Sequence, residues 1–309
     1  MVRDMKRRTF IRSSIGAGLL AGSGLAMAPI AKGMAAPSAQ NNPDLVAILG
    51  GEPDTMFDRA IQEFGGMGSF VKKGQKVVVK PNIGWDATPE RAADTNPLLV
   101  KRIIEHCFSA GASKVMVFDH TCNEWTACYK NSGIEGAVKE TKGQIVPGNS
   151  ERYYQEVSIP SGKSLKKAKV HELILDSDVF INVPVLKNHG GAKMTISMKN
   201  LMGIVWDRRY WHQNDLHQCI ADFAAYRQPD LNIVDAYRVM KQNGPRGTSV
   251  NDVTTMKAQL ISTDMVAVDT AATKLFGMDP DKVTHLGLAE KAGVGTMNLD
   301  SLNISRLKV

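Results

Sequence analysis

The stretch from Phe180 to His212, FINVPVLKNHGGAKMTISMKNLMGIVWDRRYWH, constrains this chain more than any other. The run that opens it, Val179 to Leu186, is almost wholly apolar and rich in β-branched residues. Such a run predicts a strand buried on both faces, as in sheets covered by helices on either side. The character then changes. Lys187, Asn188 and His189 precede Gly190–Gly191, and Lys193, Lys199 and Asn200 follow on a segment compatible with a helix. Between Lys187 and Arg209 stand five Lys or Arg residues and one acid, Asp207. Ligands of α/β sheets bind beyond the carboxyl ends of strands, and a glycine turn lets backbone N–H groups approach an anion. The expectation is an anion-binding loop, with His189 and Lys187 as its chemical groups and His189 as the proton carrier.

The rest of the chain repeats strand and helix signals at short intervals. Leu45 to Leu49 reads as a strand, and Asp54 opens a helix through Phe57, Ala60, Ile61 and Phe64 that stops at Gly65–Gly66. Lys76 to Lys80 is a strand with three valines, ended by Pro81. Asn96 and Pro97 are cap and first-turn signals for a helix carrying Leu99, Ile103, Ile104 and Cys107, and Val115 to Phe118 is the next strand. Beyond the central stretch, Leu231 to Val234 ends at Asp235, and Met256 to Ile261 runs into Ser262-Thr263-Asp264. A helix to Phe276 with Gly277 as its stop, another from Asp279–Pro280, and a strand near Leu302 to Val309 complete the pattern. This alternation predicts an α/β fold, a mainly parallel sheet flanked by helices. Residues 121–169 fit the pattern poorly and are expected to form an irregular insertion over a cleft, with a hairpin turn at Pro160-Ser161-Gly162.

Charge at first points to a nucleic-acid or membrane partner, since the formal net charge is +7 over 309 residues. Its location removes that reading. Arg3, Lys6, Arg7, Arg8, Arg12 and Lys32 against Asp4 place +5 within residues 1–36, which leaves +2 for the remainder. Those first residues have the order of an export signal. Arg7–Arg8 is followed by Phe10 and Ile11, then a weakly hydrophobic run from Ile15 to Ile30 too rich in glycine for a stable membrane anchor, then the small-residue pattern Gly33-Met34-Ala35. This resembles a twin-arginine signal, so the expected organisation is a signal at 1–36, a linker at 37–44 and one α/β domain from 45 to 309. The twin-arginine export machinery is then a partner, and the location is periplasmic or otherwise exported. Such export carries folded proteins, which admits a cofactor without naming one. Cys107, Cys122, Cys128 and Cys219 match no zinc or iron–sulfur spacing. A Cys122–Cys128 disulfide and four unrelated thiols both remain open.

Polar residues gather at the expected strand ends. Lys80 and Asn82 follow the second strand, Asp119 and His120 the third, Lys187 and His189 the central one, with Asp235 and Asp264 ending later ones. Lys80, Asn82, Lys193, Lys199, Asn200, Arg208 and His212 are read as ligand-binding residues, and Asp119, His120, Asp235 and Asp264 as metal-ligand candidates. The plain reading of Asp264 is a helix cap. Asp269, among apolar neighbours, should be paired or functional. Trp206, Tyr210 and Trp211 interleave with Arg208, Arg209 and His212, which suits either a solvated surface or a lid over a ligand. His217 and Cys219 read as packing residues. No Gly-x-Ser-x-Gly, His-Glu-x-x-His, Walker or Gly-x-Gly-x-x-Gly signature occurs.

Six segments carry a family resemblance: KPN at Lys80–Asn82, TNP at Thr95–Pro97, NVPVLKNH at Asn182–His189, MKNLMGIV at Met198–Val205, NGPRG at Asn243–Gly247 and STDMVAVDT at Ser262–Thr270. With them the chain resembles the family called domain of unknown function 362. The resemblance implies a family rather than a reaction. Some members of that family carry a ferredoxin-like module with four-iron clusters, but this chain lacks the cysteine-rich run that would hold one. The leading expectation is therefore an exported α/β enzyme for a small anion, a carboxylate or phosphate. There Lys187, Lys193 and Lys199 hold charge and His189 moves a proton. The competing expectation is a non-enzymatic redox or metal-handling protein, and a third is a binding protein for a periplasmic solute.

Overall fold

A computed structural model describes residues 42–309. The expectations for residues 1–36, and most of the linker, lie outside the described residues. Twelve strands form there: β1 (Leu45–Leu49), β2 (Lys76–Pro81), β3 (Lys114–Val117), β4 (Gln144–Ile145), β5 (Tyr154–Ser158) and β6 (Lys167–His171), then β7 (Val179–Val183), β8 (Val185–His189), β9 (Lys193–Thr195), β10 (Leu231–Met240), β11 (Val253–Ser262) and β12 (Ile304–Lys308).

The main sheet runs β12-β1-β11-β10-β7-β2-β3-β4. Strands β10, β7, β2, β3 and β4 are parallel neighbours, which makes the centre of the sheet the expected parallel α/β core. On the other side β11 is antiparallel to both β10 and β1, and β12 lies parallel to β1. The period of two along a strand divides the core between two faces. Val77 and Val79 pack with Phe57, Ile61, Leu99 and Ile103, from the helices Pro53–Glu63 and Pro97–Ser109. Val78 and Phe180 pack on the opposite face with Phe223, Val266 and Leu286. These come from the helices Leu216–Tyr226, Met265–Phe276 and Thr284–Lys291. Among the described residues no helix is long and apolar enough to cross a membrane.

Three details depart from the sequence reading. The run expected as one strand breaks at Pro184 into β7 and β8, because proline has no N–H to donate to a ladder. Lys187, Asn188 and His189 consequently lie in β8, which forms a hairpin with β9 around Gly190–Gly191, rather than in a loop. Residues 121–169 are more regular than expected. They supply two short helices, Trp125–Asn131 and Ile134–Lys139, the edge strand β4, and the antiparallel pair β5–β6, whose connection does hold the Pro160–Gly162 turn. The strand begun at Leu231 does not stop at Asp235. It continues to Met240, with an irregularity between Ala236 and Arg238 where it pairs with β11.

Candidate functional site

The carboxyl ends of β2 and β3, the strand β8 and the segment after β9 enclose a cavity of about 280 Å³. Lys80 leaves the end of β2 fully buried. Its Nζ forms an ion pair with Asp119 Oδ1 at 3.0 Å and donates to Asn200 Oδ1 at 2.7 Å. Asp119 Oδ1 meets that amine through charge rather than through an aligned hydrogen bond, while its Oδ2 accepts the backbone N–H of Ile83 at 2.7 Å. Gly203 presses on this pair. A Cβ there would lie 1.8 Å from Asp119 Oδ1 and 2.6 Å from Lys80 Nζ, so only glycine fits.

Asn200 ties the cavity to the sheet. It accepts from Asn82 Nδ2 at 2.8 Å and donates to Asn182 Oδ1 on β7 at 2.9 Å. Asn182 in turn donates to Asn232 Oδ1 on β10 at 3.0 Å. Polar groups this deep are tolerated only when paired, and this chain of amides pairs them across three parallel strands. The short helix Ser197–Asn200 that presents Lys199 and Asn200 is held by Asp269, whose oxygens accept the N–H groups of Ser197 at 2.8 Å and Met198 at 3.0 Å. Asp269 was expected to be paired or functional, and it is paired. Burial raises its pKa to about 7.

Lys187 is equally buried, and its Nζ donates to Asn82 Oδ1 at 3.0 Å and to the carbonyl of Ala93. The buried carboxyl of Asp94 faces it electrostatically. Burial raises the pKa of Asp94 and lowers that of Lys187, while their mutual attraction opposes both shifts. Lys199 differs from both. It lines the cavity, partly exposed, and its amine has no hydrogen-bond or ion-pair partner among the described residues. Burial lowers its pKa to about 7, Cys122 opposes the shift, and Arg208, Lys187 and Lys80 add to it.

His189 is held as a neutral group. His189 Nδ1 accepts the N–H groups of Gly191 and Ala192, both at 3.1 Å, which leaves its proton on Nε2. Burial first, then Lys199 and Lys187, depress its pKa to about 2. An imidazole so held donates from Nε2 but takes up no second proton near neutrality. His120 points Nδ1 at the Val205 carbonyl at 3.0 Å and stacks on Trp206 at 4.8 Å. Arg208 clamps the carbonyls of His120, at 2.5 Å, and Thr121. Of the suspected lid, Arg208 and His212 reach the cavity, Trp206 packs on His120, and Trp211 is buried against Phe223.

The structure thus brings Lys80, Asn82, Asp119, His120, Lys187, His189, Lys199, Asn200, Arg208 and His212 to one cavity. Three candidates stay outside. Lys193 is exposed on the β8–β9 hairpin at a positive φ of 64°, so it holds no charge in the cavity. Asp235 is buried beneath the sheet end, where it accepts the N–H of Asn96 at 2.7 Å and of Tyr237 at 3.0 Å. Asp264 caps the helix Met265–Phe276 through Ala267 N at 2.8 Å, and also accepts from Thr296 N at 3.0 Å. The four metal-ligand candidates therefore do not converge, because two serve the backbone instead. Among the described residues no three His, Cys, Asp or Glu side chains are grouped to hold a metal ion. All four cysteines are free, and Cys122, exposed, lines the cavity. Sequence reasoning missed Asp94, Gly203, Trp85, Thr195 and Pro245. Gly203 and Pro245 do lie in the MKNLMGIV and NGPRG segments, so a signal was there, whereas nothing local distinguishes Asp94.

The model of the family described as domain of unknown function (DUF362) matches residues 77–274, and the chain belongs to that family. A thylakoid-associated protein of Synechocystis sp. is 27% identical over 242 residues, 76% of this chain and 73% of that protein. The structure of the lactate racemase apoprotein from Thermoanaerobacterium thermosaccharolyticum is 13% identical with a TM-score of 0.48. That likeness covers 74% of this chain and spans 56% of the racemase chain.

Proposed function

We propose that this family member binds a small anion, a carboxylate or phosphate, in the Lys80–Lys187–Lys199 cavity and acts on it as an enzyme, with Lys199 as the proton-exchanging group. One observation carries the reading. Four cationic side chains, Lys80, Lys187, Lys199 and Arg208, line the cavity against one lining carboxylate, Asp119, and the Lys199 amine has no partner among the described residues. Asp119 and Asp94 offset two of these charges, and the cations in excess depress one another's protonation and destabilise the empty site, a cost that an anion relieves. Lys80 and Lys187 each commit two N–H groups to protein acceptors or counter-charge and retain one. His189 offers a neutral Nε2–H. A general acid–base group works best with a pKa near the operating pH, which suits Lys199 at about 7 better than His189 at about 2. The cavity is at the small end of ligand sites, roughly 300–1,000 Å³, and so favours a compact metabolite.

The test is binding of inorganic phosphate and of L-lactate, followed by calorimetry and thermal unfolding, to the wild type and Lys199→Met. An anion at a hundred times its Kd should stabilise the wild type by about 2.7 kcal/mol, with the gain reduced by salt and lost in the variant. Equal responses of both proteins, or none in either, would oppose the reading. Metal handling is less well supported, since Asp235 and Asp264 serve the backbone away from Asp119 and His120, and no three His, Cys, Asp or Glu side chains group among the described residues. Export by the twin-arginine machinery to the periplasm or an equivalent compartment belongs to the same proposal and rests on Arg7, Arg8 and the Ile15–Ile30 run. Retention of an Arg7→Lys, Arg8→Lys protein in the cytoplasm is the expected outcome. Unchanged export would overturn it.

A further inference from the structure

The Lys199 amine lines the cavity, carries no hydrogen bond among the described residues, and is buried beside Arg208, Lys187 and Lys80, whose repulsion of a positive charge only Cys122 opposes. Those conditions suit a nucleophile as well as a proton carrier, because a lysine attacks carbonyl carbon only when unprotonated. Around it stand donors for an anionic substituent: the spare N–H groups of Lys80 and Lys187 and the Nε2–H of His189. All lie in one space of about 280 Å³, so the anionic group and the attacked carbon must be close together in the same small molecule.

Resting on the anion-binding reading, we infer that Lys199 forms an imine with the carbonyl group of a small 2-oxo carboxylic acid. In that step the amine nitrogen bonds to the carbonyl carbon and the carbon–oxygen double bond is replaced by carbon–nitrogen. Both amine protons leave with the oxygen as one molecule of water, and no oxidant or reductant takes part. The carboxylate stays with the cationic wall, and the imine nitrogen, once protonated, withdraws electrons from the neighbouring carbon. Bonds at that carbon thereby become easier to break. Lys80 and Lys187 are poorer candidates for the bond because each amine is pinned on two sides within the protein.

The experiment is chemical trapping in the full-length protein. Wild type, Lys199→Met and Lys199→Arg are incubated at pH 7.5 with pyruvate or glyoxylate and sodium cyanoborohydride, then examined by intact mass and peptide mapping. A single reduced adduct on Lys199 in the wild type, absent from both variants, is expected. Its yield should climb through pH 7, whereas exposed lysines, with pKa values near 10.4, react far more slowly at neutral pH. No adduct on Lys199, or the same scattered surface adducts in all three proteins, overturns the inference. Thermal unfolding with inorganic phosphate, measured on the same samples, separates the two ideas. Stabilisation by phosphate without a Lys199 adduct defeats the imine alone, and absence of both defeats the anion-binding reading with it.

Discussion

Gly203→Ala is the sharpest structural perturbation that the site permits. The added methyl would lie 1.8 Å from Asp119 Oδ1, 2.6 Å from Lys80 Nζ and 2.7 Å from Lys80 Cε, and neither side chain is a loose surface group. The segment cannot simply retreat, because the Gly203 carbonyl accepts the N–H of His120 at 2.9 Å. Overpacking a core costs about 1–3 kcal/mol. Breaking a buried pair by removing one partner costs about 3–5 kcal/mol. Here the pair is pushed apart rather than deleted, so a loss of about 2–4 kcal/mol is expected. At about 2–4 °C per kcal/mol for a fold of this size, the melting temperature should fall by about 4–16 °C. Differential scanning fluorimetry reads this directly, with Gly190→Ala as the control. A Cβ at Gly190 meets nothing within 4 Å and should change stability by less than about 0.5 kcal/mol. The penalty should also shrink in an Asp119→Ala background, where the clashing oxygen is gone. A Gly203→Ala protein that melts with the wild type refutes the reasoning.

Two further outcomes follow from the same geometry. Lys187→Met should destabilise the fold by about 3–5 kcal/mol at pH 8, since it strips the buried Asp94 of its counter-charge, but by less at pH 6, where the raised pKa of Asp94 lets it take up a proton; urea unfolding at both pH values checks it, and equal losses would contradict it. His189, with its folded pKa depressed to about 2, should show no imidazole titration by NMR between pH 5 and 8. Its contribution to stability is fully present above the unfolded value near 6.5 and is lost as pH falls below it, so a midpoint near 6.5 in the folded protein would contradict the fixed tautomer.

Much of the sheet was legible because buried parallel strands leave continuous apolar runs. Val77–Val79 and Val179–Val183 are of this kind, and both are interior and parallel. Direction was less legible. Val253–Ser262 is mostly polar and part-exposed over its first half, and nothing in its composition marks it as antiparallel to β10 and β1. The break at Pro184 follows from proline chemistry, yet an apolar run around it hid the change of strand. At the site, strand-end position identified Lys80, Asp119 and Lys187, but not which were paired. Pairing depends on β2 lying between β3 and β7, which is a property of strand order. The same limit made Lys187, Lys193 and Lys199 look like equivalent charge-holders, although Lys187 is paired, Lys193 lies outside the cavity and Lys199 sits in it on its short helix. Asp235 and Asp264 looked like ligands for a similar reason, since a carboxylate that caps backbone N–H groups and one that binds a ligand are identical in sequence.

The central claim is that Lys199 is an unpaired amine awaiting an anion, and its protonation measures that directly. Pulse acetylation across a pH series, with the Lys199 peptide quantified by mass spectrometry, gives its titration midpoint with and without inorganic phosphate. A midpoint near 7 in the free protein is expected, moving upward when phosphate binds because the anion favours the charged amine. A midpoint near the ordinary lysine value of about 10.4, unmoved by phosphate, would contradict the account.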